Sequence, residues 1–136
     1  MSIDKNYLNK VKEIQKDIDN ILTTYPFPDS PKYLYDPIKY VFNGKGKRLR
    51  PILLMLTGNA LEVDKNELQN AAIAVEFFHN FTLVHDDIMD NDNMRHGQPT
   101  LQQKWDTATS ILAGDAIFVE SQRLIGKINT NSKIIF

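Results

Sequence analysis

The sequence contains no cysteine in its 136 residues. Disulfide frameworks, thiolate zinc sites and cysteine nucleophiles are therefore excluded. The longest uninterrupted apolar run, Ile52–Leu56, is far shorter than the roughly 20 residues that cross a bilayer. The N-terminal residues are polar and lack the apolar segment of a signal peptide. We therefore predict a cytoplasmic protein without membrane insertion.

An excess of charge of either sign is also missing, since 16 Lys and Arg residues stand against 17 Asp and Glu residues. The net charge of −1 disfavours a protein held to nucleic acid by a broad positive field, so we predict no nucleic-acid partner. Small phosphorylated ligands remain possible, because they need only a local cluster of cations. The proportions of hydrophobic (42%) and charged (24%) residues are those of one folded domain.

The period-two alternation of a strand is absent over any useful length, whereas apolar residues recur at helical spacing along the chain. The spacing predicts helices over residues 3–24, about 31–42, 51–61, 65–90 and about 107–127. Ser30-Pro31 is expected to begin the second helix, and Asp64 to cap the fourth. Phe78 is expected on a buried side of that fourth helix, and residues 91–100 are predicted to form a loop. The predicted fold class is all-α.

The chain ends in three apolar residues, Ile134–Phe136, after a polar segment. Because an apolar tail usually packs against other residues, we expect residues 1–136 to be the N-terminal part of a single, longer domain, incomplete at its C-terminus. The alternative is a tail that docks onto the same bundle.

The strongest chemical signal is His85-Asp86-Asp87-Ile88-Met89-Asp90, at the predicted end of the longest helix. Asp86 and Asp90 share one helix face, where two carboxylates repel each other unless a cation lies between them. Mg²⁺ commonly takes one or two protein carboxylates and completes its shell with phosphate and water. We predict that Asp86 and Asp90 bind Mg²⁺ and that Asp87 supports them. The alternative is a solvated acidic helix end, which the helix dipole disfavours.

A second signal is the cationic run Lys45-Gly46-Lys47-Arg48-Leu49-Arg50, which follows Gly44. The two glycines are expected to let the backbone turn. Lys47 and Arg50 are three residues apart and can converge on one anion, with arginine supplying a planar fork for phosphate oxygens. A solvated charge run and a nucleic-acid patch are the alternatives.

A third signal, Arg95-His96-Gly97-Gln98-Pro99-Thr100, follows the acidic helix end. We expect Arg95 to lie within reach of an anion that is bound to the metal ion held by the carboxylates. His79 precedes Asp86 by two helical turns and lies on nearly the same face. The alternative for His79 is an ordinary core position beside aromatic residues.

In this order and at this spacing, the three motifs resemble the trans-type polyprenyl diphosphate synthases, in particular the enzymes that make farnesyl or geranylgeranyl diphosphate. Gly114-Asp115 also resembles that family, and the resemblance spans about residues 40–125. It implies a helical bundle of the isoprenoid synthase type, usually a homodimer. It also implies a Mg²⁺-dependent prenyltransferase that condenses isopentenyl diphosphate with an allylic diphosphate into a short-chain polyprenyl diphosphate.

The resemblance implies which residues bind isopentenyl diphosphate. Lys47, Arg50 and His79 match positions that hold its diphosphate. His96 stands where the family usually has a further arginine for this substrate, and Lys45 replaces the first of two usual glycines. A neutral imidazole at His96 would hold the anion less well than an arginine.

The resemblance also assigns the allylic side of the site. Asp86 and Asp90 match the first aspartate-rich motif, which binds Mg²⁺ bridged to the allylic diphosphate, and Arg95 matches the arginine that holds this diphosphate. Phe81, followed by the small Thr82, matches the position that limits product length. The alternative for Phe81 is ordinary core packing.

The family carries a second aspartate-rich motif on a later helix, and residues 97–136 do not supply one. This leaves an alternative, a truncated non-catalytic helical module that binds diphosphate or a partner subunit. A class I terpene cyclase shares the acidic motif but needs no second diphosphate site, so the cationic run disfavours it. The helix over about 107–127 is expected to form a subunit interface, with Ala113, Gly114 and Ala116 allowing close approach.

Overall fold

The structure is a computed structural model that describes residues 5–129. The first residues of the predicted helix 3–24 and the apolar tail Ile134–Phe136 lie outside the described residues. In the described part, the elements are α1 (Lys5–Thr23), α2 (Lys32–Asn43), α3 (Leu49–Ala60), α4 (Lys65–Asp90), β1 (Met94–Arg95), β2 (Gln98–Pro99), α5 (Leu101–Lys104) and α6 (Thr107–Ile125). The all-α prediction is confirmed apart from one very short hairpin.

Helix α4 is the central element, because α3 packs on one side of it and α6 runs along another. Phe77, at its middle, is fully buried and stacks on Phe42 of α2 with ring centroids 4.4 Å apart. Ile117 of α6 is also fully buried. Burying side chains of this size stabilises the fold by about 1.5–3 kcal/mol each. This core holds α4 rigidly in the frame that carries the acidic motif.

Of the two predicted N-cap residues, the one for α4 is confirmed and the one for α2 is not. Asp64 caps α4 as predicted, since its Oδ1 accepts hydrogen bonds from the backbone N–H of Asn66 (2.9 Å) and Glu67 (3.1 Å). The prediction for Ser30-Pro31 was wrong by one residue, because Pro31 takes the N-cap position and makes no capping side-chain bond.

The segment 91–100 is more ordered than a loop. Strands β1 and β2 pair antiparallel, with Arg95 opposite Gln98. His96 (φ 51°) and Gly97 (φ 80°) form the turn, and positive φ at both central residues gives the twist that suits a two-residue hairpin. Two residues per strand are too few for alternation to reveal them. The short helix α5, which follows at once, was also not predicted.

Phe78 was expected to be buried but is 46% exposed. Its ring lies 5.7 Å from that of Phe81 and 6.1 Å from that of Phe118, so it forms the outer edge of an aromatic cluster between α4 and α6.

None of the helices within residues 5–129 is long and apolar enough to span a membrane. The cytoplasmic location stays a prediction.

Candidate active site

A cavity of about 680 Å³ lies where the segment between α2 and α3 faces the middle of α4 and the hairpin. Its lining contains five of the predicted ligand-binding residues: Lys47, Arg50, His79, Arg95 and His96. These residues come from three separate segments of the chain, and only folding brings them together. Three cationic side chains and two imidazoles therefore line the same cavity.

The cationic segment takes its shape from an arginine and not from its glycines. Neither Gly44 nor Gly46 has a positive φ, whereas Arg48 is left-handed at φ 51°. Two side chains approach the glycines closely, because a Cβ at Gly44 would lie 2.8 Å from Nε2 of Gln98 and one at Gly46 would lie 2.9 Å from Nη1 of Arg48. The expectation that the glycines provide the turn was wrong.

Arg48 also lines the cavity but is buried, with 7% of its surface exposed. Its Nε donates to Oδ1 of Asp19 and its Nη1 donates to Oε1 of Glu76, both over 2.8 Å. Its Nη2 donates to the carbonyl oxygen of Gly44 over 2.8 Å. Arg48 thus joins α1, α4 and the cationic segment.

Arg50 and His79 form a direct pair at the cavity wall. Nη1 of Arg50 lies 3.0 Å from Nε2 of His79, and because arginine can only donate, Nε2 must be the acceptor. Burial and then the positive charge of Arg50 lower the pKa of His79. His79 is therefore held as a neutral imidazole with its proton on Nδ1.

The three aspartates of the acidic motif separate into two environments. Asp86 and Asp90 are exposed, one helical turn apart. Asp87 is buried, with 5% of its surface exposed, and accepts hydrogen bonds from Arg95. Both Nε and Nη2 of Arg95 lie 2.6 Å from its Oδ1. The hydrogen bond that Arg95 donates to Asp87 outweighs burial and raises the pKa of Arg95.

The contact between Asp87 and Arg95 fixes the hairpin to the end of α4. Gln102 of α5 adds two further bonds, since its Nε2 donates to the backbone oxygens of Asp87 (2.7 Å) and Asp92 (2.9 Å). The Thr100 hydroxyl also donates to the backbone oxygen of Asp92, over 2.8 Å. Arg95 is thereby held at the cavity wall beside the acidic turn.

Asp86 and Asp90 fit Mg²⁺ as an open, two-carboxylate site. Within residues 5–129 there is no group of three or more His, Cys, Asp or Glu side chains arranged to hold a metal ion. Two exposed carboxylates leave the other coordination positions to phosphate and water, which is how Mg²⁺ is usually bound beside diphosphates. In the described part of the chain, neither aspartate belongs to the cavity lining, so the carboxylates lie beside the cavity and not in it.

Phe81 and Thr82 occupy other surroundings. The Phe81 ring lies 5.0 Å from Phe118 of α6 and 4.7 Å from the His85 ring. Thr82 donates a hydrogen bond from its hydroxyl to the backbone oxygen of His79 over 2.7 Å. Among the described residues, the cavity lining next to them comes from Leu83 and Val84. The role of Phe81 and Thr82 in product length stays a prediction.

Sequence reasoning missed Arg48 and Gln102 as residues that shape the site. Arg48 was counted only as one of several cations, although its partner Glu76 is a charged residue inside the apolar stretch Ala71–Phe78. A lone carboxylate in such a stretch requires a buried partner, and this signal pointed to an arginine or lysine elsewhere. No local pattern marks Gln102.

The comparisons with known proteins concern the family and the fold. The profile of the family described as Polyprenyl synthetase matches residues 31–135. The geranylgeranyl diphosphate synthase of Methanosarcina mazei is 38% identical over 120 residues, which cover 88% of this chain and 36% of that protein. The short chain isoprenyl diphosphate synthase of Methanocaldococcus jannaschii is 40% identical over 133 residues, which cover 98% of this chain and 38% of that protein.

Solved structures give the same result. A geranylgeranyl pyrophosphate synthase superposes with a TM-score of 0.84 at 38% identity, covering 92% of this chain and 38% of that one. An FPP/GFPP synthase from Zymomonas mobilis superposes with a TM-score of 0.82 at 31% identity, covering 93% and 47% of the two chains.

Fold and cavity together define a helical protein of the isoprenoid synthase fold, with a cavity whose lining includes Lys47, Arg50 and Arg95. The chain belongs to the polyprenyl synthetase family, because the family profile matches most of its length. It spans between 36% and 38% of the length of the first curated relatives that it matches.

Proposed function

We propose that the chain is the diphosphate-binding part of a short-chain prenyltransferase that joins isopentenyl diphosphate to an allylic diphosphate. The observation that carries the proposal is the cavity that gathers Lys47, Arg50, His79, Arg95 and His96. Relatives that are named for making geranylgeranyl and farnesyl diphosphate support the substrate class.

The residues of the cavity divide into two anion sites in this proposal. Lys47 and Arg50 hold the diphosphate of isopentenyl diphosphate, with the Nδ1–H of His79 as a further donor. Arg95, fixed by Asp87, holds the allylic diphosphate next to the acidic turn. Apolar side chains deeper in the cavity exclude water from the reacting carbon.

Asp86 and Asp90 would hold Mg²⁺ at the allylic end of the site. The ion, when bound, supplies positive charge that stabilises the departing diphosphate. Asp87 keeps its carboxylate on Arg95 and so contributes to placing the guanidinium. Because chain residues supply only charge and position, no protein nucleophile is required, in agreement with a sequence without cysteine.

Calorimetric titration with inorganic pyrophosphate, with and without Mg²⁺, tests the binding half of the proposal. Lys47→Ala and Arg50→Ala should each weaken pyrophosphate binding about tenfold or more, the effect of losing one charge-assisted hydrogen bond. Lys65→Ala, on an exposed lysine at the start of α4, is the matched control for charge and should have no effect. Equal losses in all three variants would refute a localised site.

His96 and Phe81 set two finer points. We propose that His96 is a weak isopentenyl diphosphate ligand, so His96→Arg should tighten binding of that substrate.

We further propose a short product, with Phe81 limiting its length. In a longer family protein that carries this segment, Phe81→Ala should lengthen the products. An unchanged product distribution would make Phe81 a residue of the aromatic cluster only.

A second candidate function is a non-catalytic module that binds diphosphate. The observation in its favour is that the cavity gathers cationic residues that could bind diphosphate without further chemistry. An assay of the chain with radiolabelled isopentenyl diphosphate and several allylic donors separates the two candidates. Pyrophosphate binding without any prenyl product would favour the module.

We also propose that the protein forms a homodimer through α6, but not through the small residues first expected there. Ala113 and Gly114 are both buried, and Gly114 lies against His85 and Val84 of α4. The opposite face of α6 exposes Ile111, Leu112 and Val119, the last at 64%. Sedimentation should show Val119→Asp to be more monomeric than wild type, whereas Leu61→Asp, equally exposed but on another face, should leave the oligomer intact.

A further inference from the structure

Arg48 lines the cavity together with Lys47 and Arg50, but its charge is paired with two carboxylates of the protein. Each of its three side-chain nitrogens already donates to a protein oxygen at 2.8 Å. Its side chain is 5% exposed and that of its partner Glu76 is 4% exposed. Three of its five N–H groups are thus held by protein oxygens, which fixes the orientation of the guanidinium and ties it to three parts of the chain.

The backbone at Arg48 shows that it holds the cationic segment in a specific shape. Arg48 adopts φ 51° and ψ 32°, a left-handed conformation that costs free energy for a residue with a Cβ. The surrounding contacts must therefore impose it. The guanidinium also covers Gly46, where a Cβ would lie 2.9 Å from Nη1. Side chain and segment fix each other.

The direction of Arg48 determines the direction of its neighbours. With Arg48 directed inward to Asp19 and Glu76, the adjacent Lys47 remains exposed at the cavity. Arg50, one residue into helix α3, faces the same cavity and contacts His79. Cationic ligands act strongly on an anion only when they are positioned before it binds.

We propose that Arg48 is a positioning residue, whose buried ion pairs with Asp19 and Glu76 fix the segment so that Lys47 and Arg50 meet one diphosphate. This inference rests on the proposed function for the identity of the ligand. Among the described residues, Asn80 completes the arrangement, because its Nδ2 donates to the backbone oxygen of Glu76 (2.8 Å) and lies 3.3 Å from the Oε1 that Arg48 contacts.

Arg48→Lys is the decisive variant because it keeps the charge and removes the fork. Titration with inorganic pyrophosphate, at a temperature where circular dichroism shows the full chain folded, should give a dissociation constant about tenfold higher than wild type. A role through the overall field alone would leave binding unchanged, since the net charge is the same. Arg123→Lys is the matched control, as Arg123 is also paired with a glutamate but is remote from the cavity.

Asp19→Asn provides a second test that does not threaten the fold, because the Asp19 side chain is 44% exposed. It removes the charge of one partner, and pyrophosphate binding should weaken several-fold. If Arg48→Lys and Asp19→Asn both bind pyrophosphate within about twofold of wild type, the positioning role is wrong.

Backbone ¹⁵N order parameters of residues 45–47 give a measurement that needs no ligand. They should fall in Arg48→Lys and remain unchanged in Arg123→Lys. If wild type binds no pyrophosphate, the proposed function fails while the positioning role is still decided here. Order parameters in Arg48→Lys equal to those of wild type would then overturn it.

Discussion

Arg50 donates a hydrogen bond from Nη1 to Nε2 of His79 across 3.0 Å, joining two elements that are far apart in sequence. The bond requires a neutral imidazole, because a protonated Nε2 could no longer accept it. The pairing therefore links the position of Arg50 at the cavity to the protonation state of His79.

His79 should titrate below the usual histidine pKa of about 6.5. Its pKa is lowered by burial first and by the charge of Arg50 second. Arg50→Gln removes the second cause and should raise the pKa of His79, as followed by the imidazole proton shifts in NMR spectra. Because the unfolded chain binds the proton more readily, His79 makes the fold less stable as the pH falls through this range.

Arg123→Gln is the control for this titration, since Arg123 lies at α6 and pairs with Glu120. It should leave the titration of His79 unchanged. A His79 pKa that stays low in Arg50→Gln would show that burial alone sets it.

Glu120 should make a separate, acid-dependent contribution to stability. Burial acts to raise its pKa, but hydrogen bonds from Arg123 and from the Tyr25 hydroxyl outweigh burial and lower it. The same contact, together with burial, raises the pKa of Tyr25 to about 12. A lowered folded-state pKa means that the stabilisation is present above the unfolded pKa of about 4.3 and is lost as the pH falls below it.

Urea unfolding of wild type and Glu120→Gln between pH 3 and 6 measures this contribution. The stability of wild type should fall more steeply with acid than that of the variant. Glu13→Gln, on an exposed glutamate of α1, should retain the wild-type slope. Parallel slopes for wild type and Glu120→Gln would contradict the assignment.

The sequence was sufficient for features that repeat or that act locally. The range 65–90 predicted for the longest helix is the range of α4, because its apolar spacing continues over many turns and Asp64 caps its start. The cationic run and the motif at Arg95 likewise contain residues that the structure gathers at one cavity, whereas Asp86 and Asp90 are not among its lining. Each motif is contiguous, so its residue types and spacing are visible without the fold.

Features that depend on distant contacts were not accessible in the same way. The partners of Arg48 lie 29 residues before it, at Asp19, and 28 residues after it, at Glu76. Asp87, and not Asp86, contacts Arg95, and this depends on where the hairpin places Arg95. Helical spacing gives the relative directions of the aspartates but not which one meets an arginine.

Gly114 should be needed for the contact between α6 and α4. A Cβ there would lie 2.5 Å from Cε1 of His85, the residue before the acidic pair, and 3.3 Å from Cγ1 of Val84. Gly114→Ala should therefore lower the free energy of unfolding by about 1–3 kcal/mol through overpacking. Thermal unfolding measures the change.

Gly126 offers a matched control at the end of the same helix. It has helical dihedral angles, and a Cβ there would meet only ordinary contacts at 3.5 Å or more. Gly126→Ala should stabilise the protein by about 0.4–1 kcal/mol, because alanine restricts the unfolded chain. If Gly114→Ala behaved like Gly126→Ala, the close approach to His85 would not be rigid.

Loss of charge at the adjacent residues Asp86 and Asp87 should change stability by very different amounts. Asp87→Asn removes the carboxylate that pairs with Arg95, so the free energy of unfolding should fall by about 1.5–3 kcal/mol. Asp86→Asn changes an exposed residue and should alter stability by less than about 0.5 kcal/mol. Urea unfolding measures both variants under identical conditions.

The same two variants should differ in the reverse sense when the effect of Mg²⁺ on pyrophosphate binding is measured: Asp86→Asn should then have the larger effect. Asp86→Asn should abolish most of the gain in pyrophosphate affinity that Mg²⁺ provides, because it removes one of only two proposed carboxylate ligands. Asp87→Asn should retain that gain while it is folded, since its carboxylate faces Arg95. If Asp87→Asn is the less stable variant and Asp86→Asn is the one that loses the Mg²⁺ effect, Asp86 binds the metal and Asp87 supports the structure. Loss of the Mg²⁺ effect in Asp87→Asn alone would reverse the assignment of the two residues.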